Sequence, residues 1–132
     1  MLGELIIENT GKRIVRRVLK TNPPTVEVTF EETGKVLGHA TTGMGTYTSE
    51  IRPDSTVIGV GQGIIFTADG EGATWKGSGQ GKLKPGGAVS YRGILYFQTT
   101  SAKLARLNSA PGVFEYEVDA DGKTHTKVWE WK

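Results

Sequence analysis

The chain has no cysteine among its 132 residues, which excludes disulfides, thiolate nucleophiles and thiolate metal sites together. It has only two histidines. His39 and His125 lie far apart, with no carboxylate at ligand spacing, so no metal is expected. No apolar run approaches the roughly 20 residues of a membrane-crossing helix. Residues 1–7 are short, hold Glu4 and do not open a secretory leader. A cytoplasmic location is therefore the default expectation, with no membrane partner. The net charge is only +2, too little to indicate a nucleic-acid partner. Lys12, Arg13, Arg16, Arg17 and Lys20 form a basic stretch without interleaved aromatics, which reads as a solvated strand face.

The familiar glycine motifs are missing too. Gly77-Ser78-Gly79-Gln80-Gly81-Lys82 has Lys76 where a phosphate loop needs its first glycine, and Leu83 where it needs Ser or Thr. Gly59, Gly61 and Gly63 open no helix and fail the dinucleotide fingerprint. No nucleophile elbow is present. No cofactor is expected, and nothing assigns a catalytic residue.

Glycine is what the chain has in excess, at 19 residues. Many stand at alternate positions, the period of a β-strand. Between them run β-rich stretches separated by turn signals. These predict strands over 2–9, 12–20, 25–32, 35–51, 56–68, 71–84, 88–100, 112–119 and 123–132. Turns are expected at Thr10-Gly11, Asn22-Pro23-Pro24, Thr33-Gly34, Pro53-Asp54, Asp69-Gly70, Pro85-Gly86-Gly87 and Asp121-Gly122. Residues 101–108 are the one helical candidate, with Ser101 as cap and Leu104 and Leu107 as an apolar pair. The fold class is all-β: one domain over residues 1–132, an antiparallel meander of about 8–9 strands closing into a barrel.

Two-residue turns at Pro53-Asp54 and Asp69-Gly70 would put Ile64 opposite Trp75, Gln62 opposite Gly77, and Tyr47 opposite Val60. Ile58, Val60, Gln62, Ile64 and Phe66 would then point inward between glycine rows at 43 and 45 and at 77, 79 and 81. Gly59, Gly61 and Gly63 would face out. Large side chains beside empty positions suit a small, strongly curved barrel. On the 88–100 strand, Val89, Tyr91, Leu95 and Phe97 form the more apolar row, with Ile94 and Tyr96 behind it. That second row calls for a covering partner, most simply a homo-oligomer. Gln62 becomes the polar anchor of a ligand-binding lumen lined by Tyr47, Trp75, Tyr91, Phe97, Tyr116 and Trp129. Glu115, Glu117 and Glu130 are expected outside, paired with lysines.

This plan of short antiparallel strands, a glycine-rich middle and a small helical element near the C-terminus resembles the calycin type of barrel. It is also similar to the allene oxide cyclase-like barrels. The resemblance is one of architecture. The lipocalin Gly-x-Trp signature is absent, since Gly3 is followed by Glu4 and Leu5, and no family residue role carries over. It implies an interior that binds or transforms a small apolar molecule. Three functions stay open: a binder of a small apolar or amphipathic ligand, an isomerase or cyclase that shapes its substrate, and a packed, non-catalytic subunit of an oligomer.

Overall fold

The computed structural model describes residues 2–132. The expected meander is there, and it closes. Eight antiparallel strands pair in chain order, the last against the first. They are β1 (Leu2–Thr21), β2 (Pro24–Val36), β3 (His39–Ile51), β4 (Thr56–Thr67), β5 (Gly72–Leu83), β6 (Val89–Thr99), β7 (Gly112–Val118) and β8 (Lys123–Trp131).

The strand count differs from nine because Thr10-Gly11 is not a turn. β1 runs straight through it, as β2 runs through Thr33-Gly34. The two dipeptides face each other, Asn9 opposite Gly34 and Gly11 opposite Glu32. A Cβ on Gly11 would lie 1.9 Å from the Glu31 carbonyl oxygen, and one on Gly34 2.2 Å from that of Glu8. Glycine here permits a close backbone approach, the other meaning it has inside a strand. The reversal falls three residues later, at Leu37-Gly38, where φ is 50° and 82°. Positive φ at both central residues is the mark of a two-residue hairpin turn.

β1 and β2 also join through two residues, Asn22-Pro23, but four other hairpins use three-residue loops, and this moves the register. The loops end at Ser55, Gly70, Gly87 and Gly122, all with positive φ. Arg52 bonds to Thr56, Thr67 to Glu71, Lys84 to Ala88 and Asp119 to Lys123 across them. A loop one residue longer than two shifts each pairing by one, and that exchanges the faces of a strand. Hence Gly63, not Ile64, stands opposite Trp75, while Ile64 pairs with Thr74 and Gln62 with Lys76 and Thr46. Val57, Gly59, Gly61, Gly63 and Ile65 line the interior. Ile58, Val60, Gln62, Ile64 and Phe66 face out, the reverse of the expected arrangement. On β6 the apolar row Val89, Tyr91, Leu95 and Phe97 is inward as expected, because Pro85-Gly86-Gly87 is also a three-residue loop.

Residues 101–108 form no α-helix. The segment is irregular and ends in a single 3-10 turn, Ala105–Ser109. Too short to pay for helix nucleation, it serves as a plug. Leu104 and Leu107 are fully buried against Ile7, Val36, Ile65, Leu95 and Val128. The Ser101 hydroxyl bonds the Glu71 carboxylate, and the Arg106 guanidinium grips Glu130 through two 3.0 Å bonds. Glu130 is thus an inward, buried residue of β8 rather than an outer one. Glu115 and Glu117 do face out as expected: Arg92 forms ion pairs with both, and Lys127 stands across from Glu115.

A candidate ligand site inside the barrel

The inward glycines are seats for large side chains. A Cβ on Gly63 would lie 2.3 Å from the indole of Trp75, and one on Gly45 2.8 Å from both Trp75 and Phe30. Tyr91 lies over Gly59, Phe114 over Gly79 and Gly93, Leu95 over Gly77, and Phe97 over Gly112. A narrow barrel can hold this many rings only where the facing strands carry no side chain. The rings form one cluster. Phe30 packs on Tyr47, Trp75 and Tyr116 at centroid distances of 5.9, 6.4 and 5.3 Å. Tyr47 meets Tyr91 and Tyr116 edge to face at 5.7 Å, the favoured arrangement of aromatic quadrupoles.

This filling leaves an apolar cavity of about 70 Å³ beneath the plug. Its walls include Tyr47, Trp75, Tyr91, Phe97 and Tyr116, five of the residues expected there from sequence. Two others lie elsewhere. Gln62 is exposed on the outer face, and Trp129 is half-buried on the outward row of β8 between inward Val128 and Glu130. Both follow from loop length: the odd loop before β5 turns Gln62 out, and the one before β8 turns Trp129 out.

The polar corner of the cavity is built from residues the sequence reading passed over: Glu32, Asn9 and Thr126. Glu32 is 8% exposed. The Thr126 hydroxyl donates to its carboxylate at 3.0 Å. Burial nevertheless dominates and raises the Glu32 pKa above the ordinary carboxylate value, with the bonds from Thr126 and Asn9 opposing it. Asn9 Oδ1, buried on the same wall, has no hydrogen-bond partner among the described residues, and the buried Tyr116 hydroxyl faces that of Tyr47. Burial drives the Tyr116 pKa far up, aided by neighbouring Tyr47 and Glu32. The Tyr91 hydroxyl bonds Ser49, and burial pushes its pKa up to about 12. Glu32 had a signal of its own: it continues the alternation Val26, Val28, Phe30, and only the mistaken turn at Thr33-Gly34 hid that.

Chemically, the corner offers a carboxyl, a phenol and an amide oxygen to one hydrogen-bonding group, with aromatic walls for an apolar body. Among the described residues, no three His, Asp or Glu side chains come together to hold a metal ion. No helix of the described residues is long and apolar enough to cross a membrane.

No protein-family model matches the chain, and no curated protein matches it. Solved structures do. A protein with unknown function from Clostridium acetobutylicum ATCC 824 superposes with a TM-score of 0.83 at 13% identity, covering 98% of both chains. A conserved protein of unknown function from Rhodopseudomonas palustris does so with a TM-score of 0.75 at 12% identity, covering 96% of this chain and 95% of its own. At such identities the likeness is one of fold: residues 2–132 form an eight-stranded antiparallel barrel of the kind seen in these two proteins.

Proposed function

We propose that the barrel binds a compact, largely apolar molecule carrying one hydrogen-bonding group, held in the interior with Glu32 and Tyr116 at its polar end. The observation that carries this reading is the buried carboxyl of Glu32, beside the Tyr116 phenol and an unpartnered Asn9 amide oxygen, on the wall of an otherwise apolar cavity. Burying a carboxyl without an ion partner is costly, and a barrel that only needed filling would gain more from Val or Leu at this position. The expected architecture of calycin and allene oxide cyclase-like barrels, which enclose small apolar molecules, agrees with the reading.

The cavity bounds the ligand. About 70 Å³ compares with roughly 150 Å³ for a dry cavity that takes up benzene. A ligand of benzene size or larger therefore requires the aromatic walls or the 101–109 plug to move. The test is a panel of small probes (short alcohols, pyrazole, phenol) followed through the indole N–H resonance of Trp75 and the thermal midpoint. Saturable shifts for polar-ended probes, weakened by Glu32→Leu, support the proposal. If no probe moves either signal, the interior is simply packed, and a role in association is the account that remains.

A further inference from the structure

The outside of the barrel has two unlike sides. Over β7, β8, β1 and β2, cross-strand neighbours alternate in charge: Glu8 stands between Lys35 and Lys127, and Lys127 stands opposite Glu115. Exposed apolar side chains stand on this side too, Val15 and Val18 of β1 among them, but between the charges of Lys12, Arg13, Arg16, Arg17 and Lys20. Over β3 to β6 the pattern changes. In the four outward rows from Thr42↔Phe66 to Thr48↔Val60↔Ser78↔Ile94, Lys76 is the one charged side chain. The same rows expose Met44, Val60, Ile64, Phe66 and Tyr96, with Val60 at 57% and Tyr96 at 62%. Isolated exposed hydrophobics need no explanation. These are contiguous: Met44 pairs directly with Ile64, and Phe66 is the next outward residue on β4.

We propose that this face is buried against the same face of a second copy of the chain, in a two-fold dimer. Charge selects the occupant. A two-fold axis sets the face against itself, residue i on j and j on i, so a face rich in charge of one sign repels its copy, whereas this one brings a single lysine per copy. A partner of different sequence is commonly steered and selected by complementary charge, and these rows offer almost none to complement. The face spans four of the eight strands of a closed barrel and is convex, so a second copy covers its middle strands, and the dimer is of the small, concentration-dependent kind. Thr42 and Gln98 supply uncharged polar groups at the margin of the patch, and Thr46 and Gln62 supply them within it.

Sedimentation velocity on the full chain at about 100 μM tests the proposal, since dimers follow mass action. The expected species is a dimer. Ile64→Lys, and independently Val60→Lys, should halve the sedimenting mass while thermal unfolding stays cooperative; two sites guard against one variant failing to fold. Lys35→Ala on the charged side should leave the dimer intact. A wild-type monomer at this concentration, as expected if another protein covers the face, overturns the proposal. So does a dimer that survives both lysine substitutions.

Discussion

Gly63→Ala probes the packing logic of the barrel at one atom. The added Cβ would lie 2.3 Å from Cε2 and Nε1 of Trp75 and 2.5 Å from Cζ2. The indole has little room to retreat: it lies across the paired Gly63 and Gly45, where a Cβ on Gly45 would also meet it at 2.8 Å, and Phe30 packs against it. Overpacking of this kind costs about 1–3 kcal/mol. Alanine regains about 0.4–1 kcal/mol by restricting the unfolded chain, so a net loss of about 1–2 kcal/mol is expected. Urea denaturation at an unchanged m-value reads it as a lower midpoint. The mechanism is separated from a general intolerance of β-carbons by repeating the substitution in Trp75→Leu, where the ring is gone. There the penalty should largely vanish, a coupling within the ~0.5–3 kcal/mol seen for contacting residues. A midpoint unmoved by Gly63→Ala, or an equal loss in both backgrounds, would refute the seat for Trp75.

Trp75→Ala should destabilise by about 3 kcal/mol, the low end for a large aromatic because the ring is half-buried. It should also enlarge the cavity enough for benzene to raise the thermal midpoint of the variant alone. Leu104→Ala, at the fully buried tip of the plug, should cost about 3–5 kcal/mol by the same denaturation assay. Gln62→Ala, outside the barrel, should stay within about 0.5 kcal/mol of wild type. Glu32 gives a pH prediction. Its folded pKa is raised above the ordinary 4.5, so the fold binds the proton more tightly than the unfolded chain. That stabilising contribution is complete below about pH 4.5 and is lost as pH rises through the folded value. Glu32→Gln, which cannot ionise, should gain thermal stability over wild type as pH climbs from 4 to 8, and parallel pH profiles would contradict the burial of an ionisable carboxyl.

The architecture was legible from alternation and turn chemistry: antiparallel strands, glycine rows and closure all follow from them. Register was less so. Pro53-Asp54 and Asp69-Gly70 mark turns plainly, but nothing local in them separates a two-residue loop from three residues ending in a left-handed Ser55 or Gly70. That single residue decides which face of β4 is the core, and it carried Gln62 out and brought Gly59 and Gly61 in. Thr10-Gly11 and Thr33-Gly34 misled for a related reason. Glycine serves a turn or a tight crossing of strands equally well, and only the pairing of β1 with β2 shows which. Tyr47, Tyr91, Phe97 and Tyr116 were found despite this, since large aromatics in alternating rows of a small barrel have few other places to go.

The central claim is that the cavity beside Glu32 accepts a polar-ended molecule. It is tested most directly by the ¹³C resonance of the Glu32 carboxyl carbon during titration with pyrazole and short alcohols. The account predicts a saturable shift of that resonance and a displaced titration midpoint, since a ligand hydrogen bond replaces part of the lost solvation. A Glu32 resonance that keeps the same position and midpoint with every probe, while remaining shielded from solvent, would contradict it.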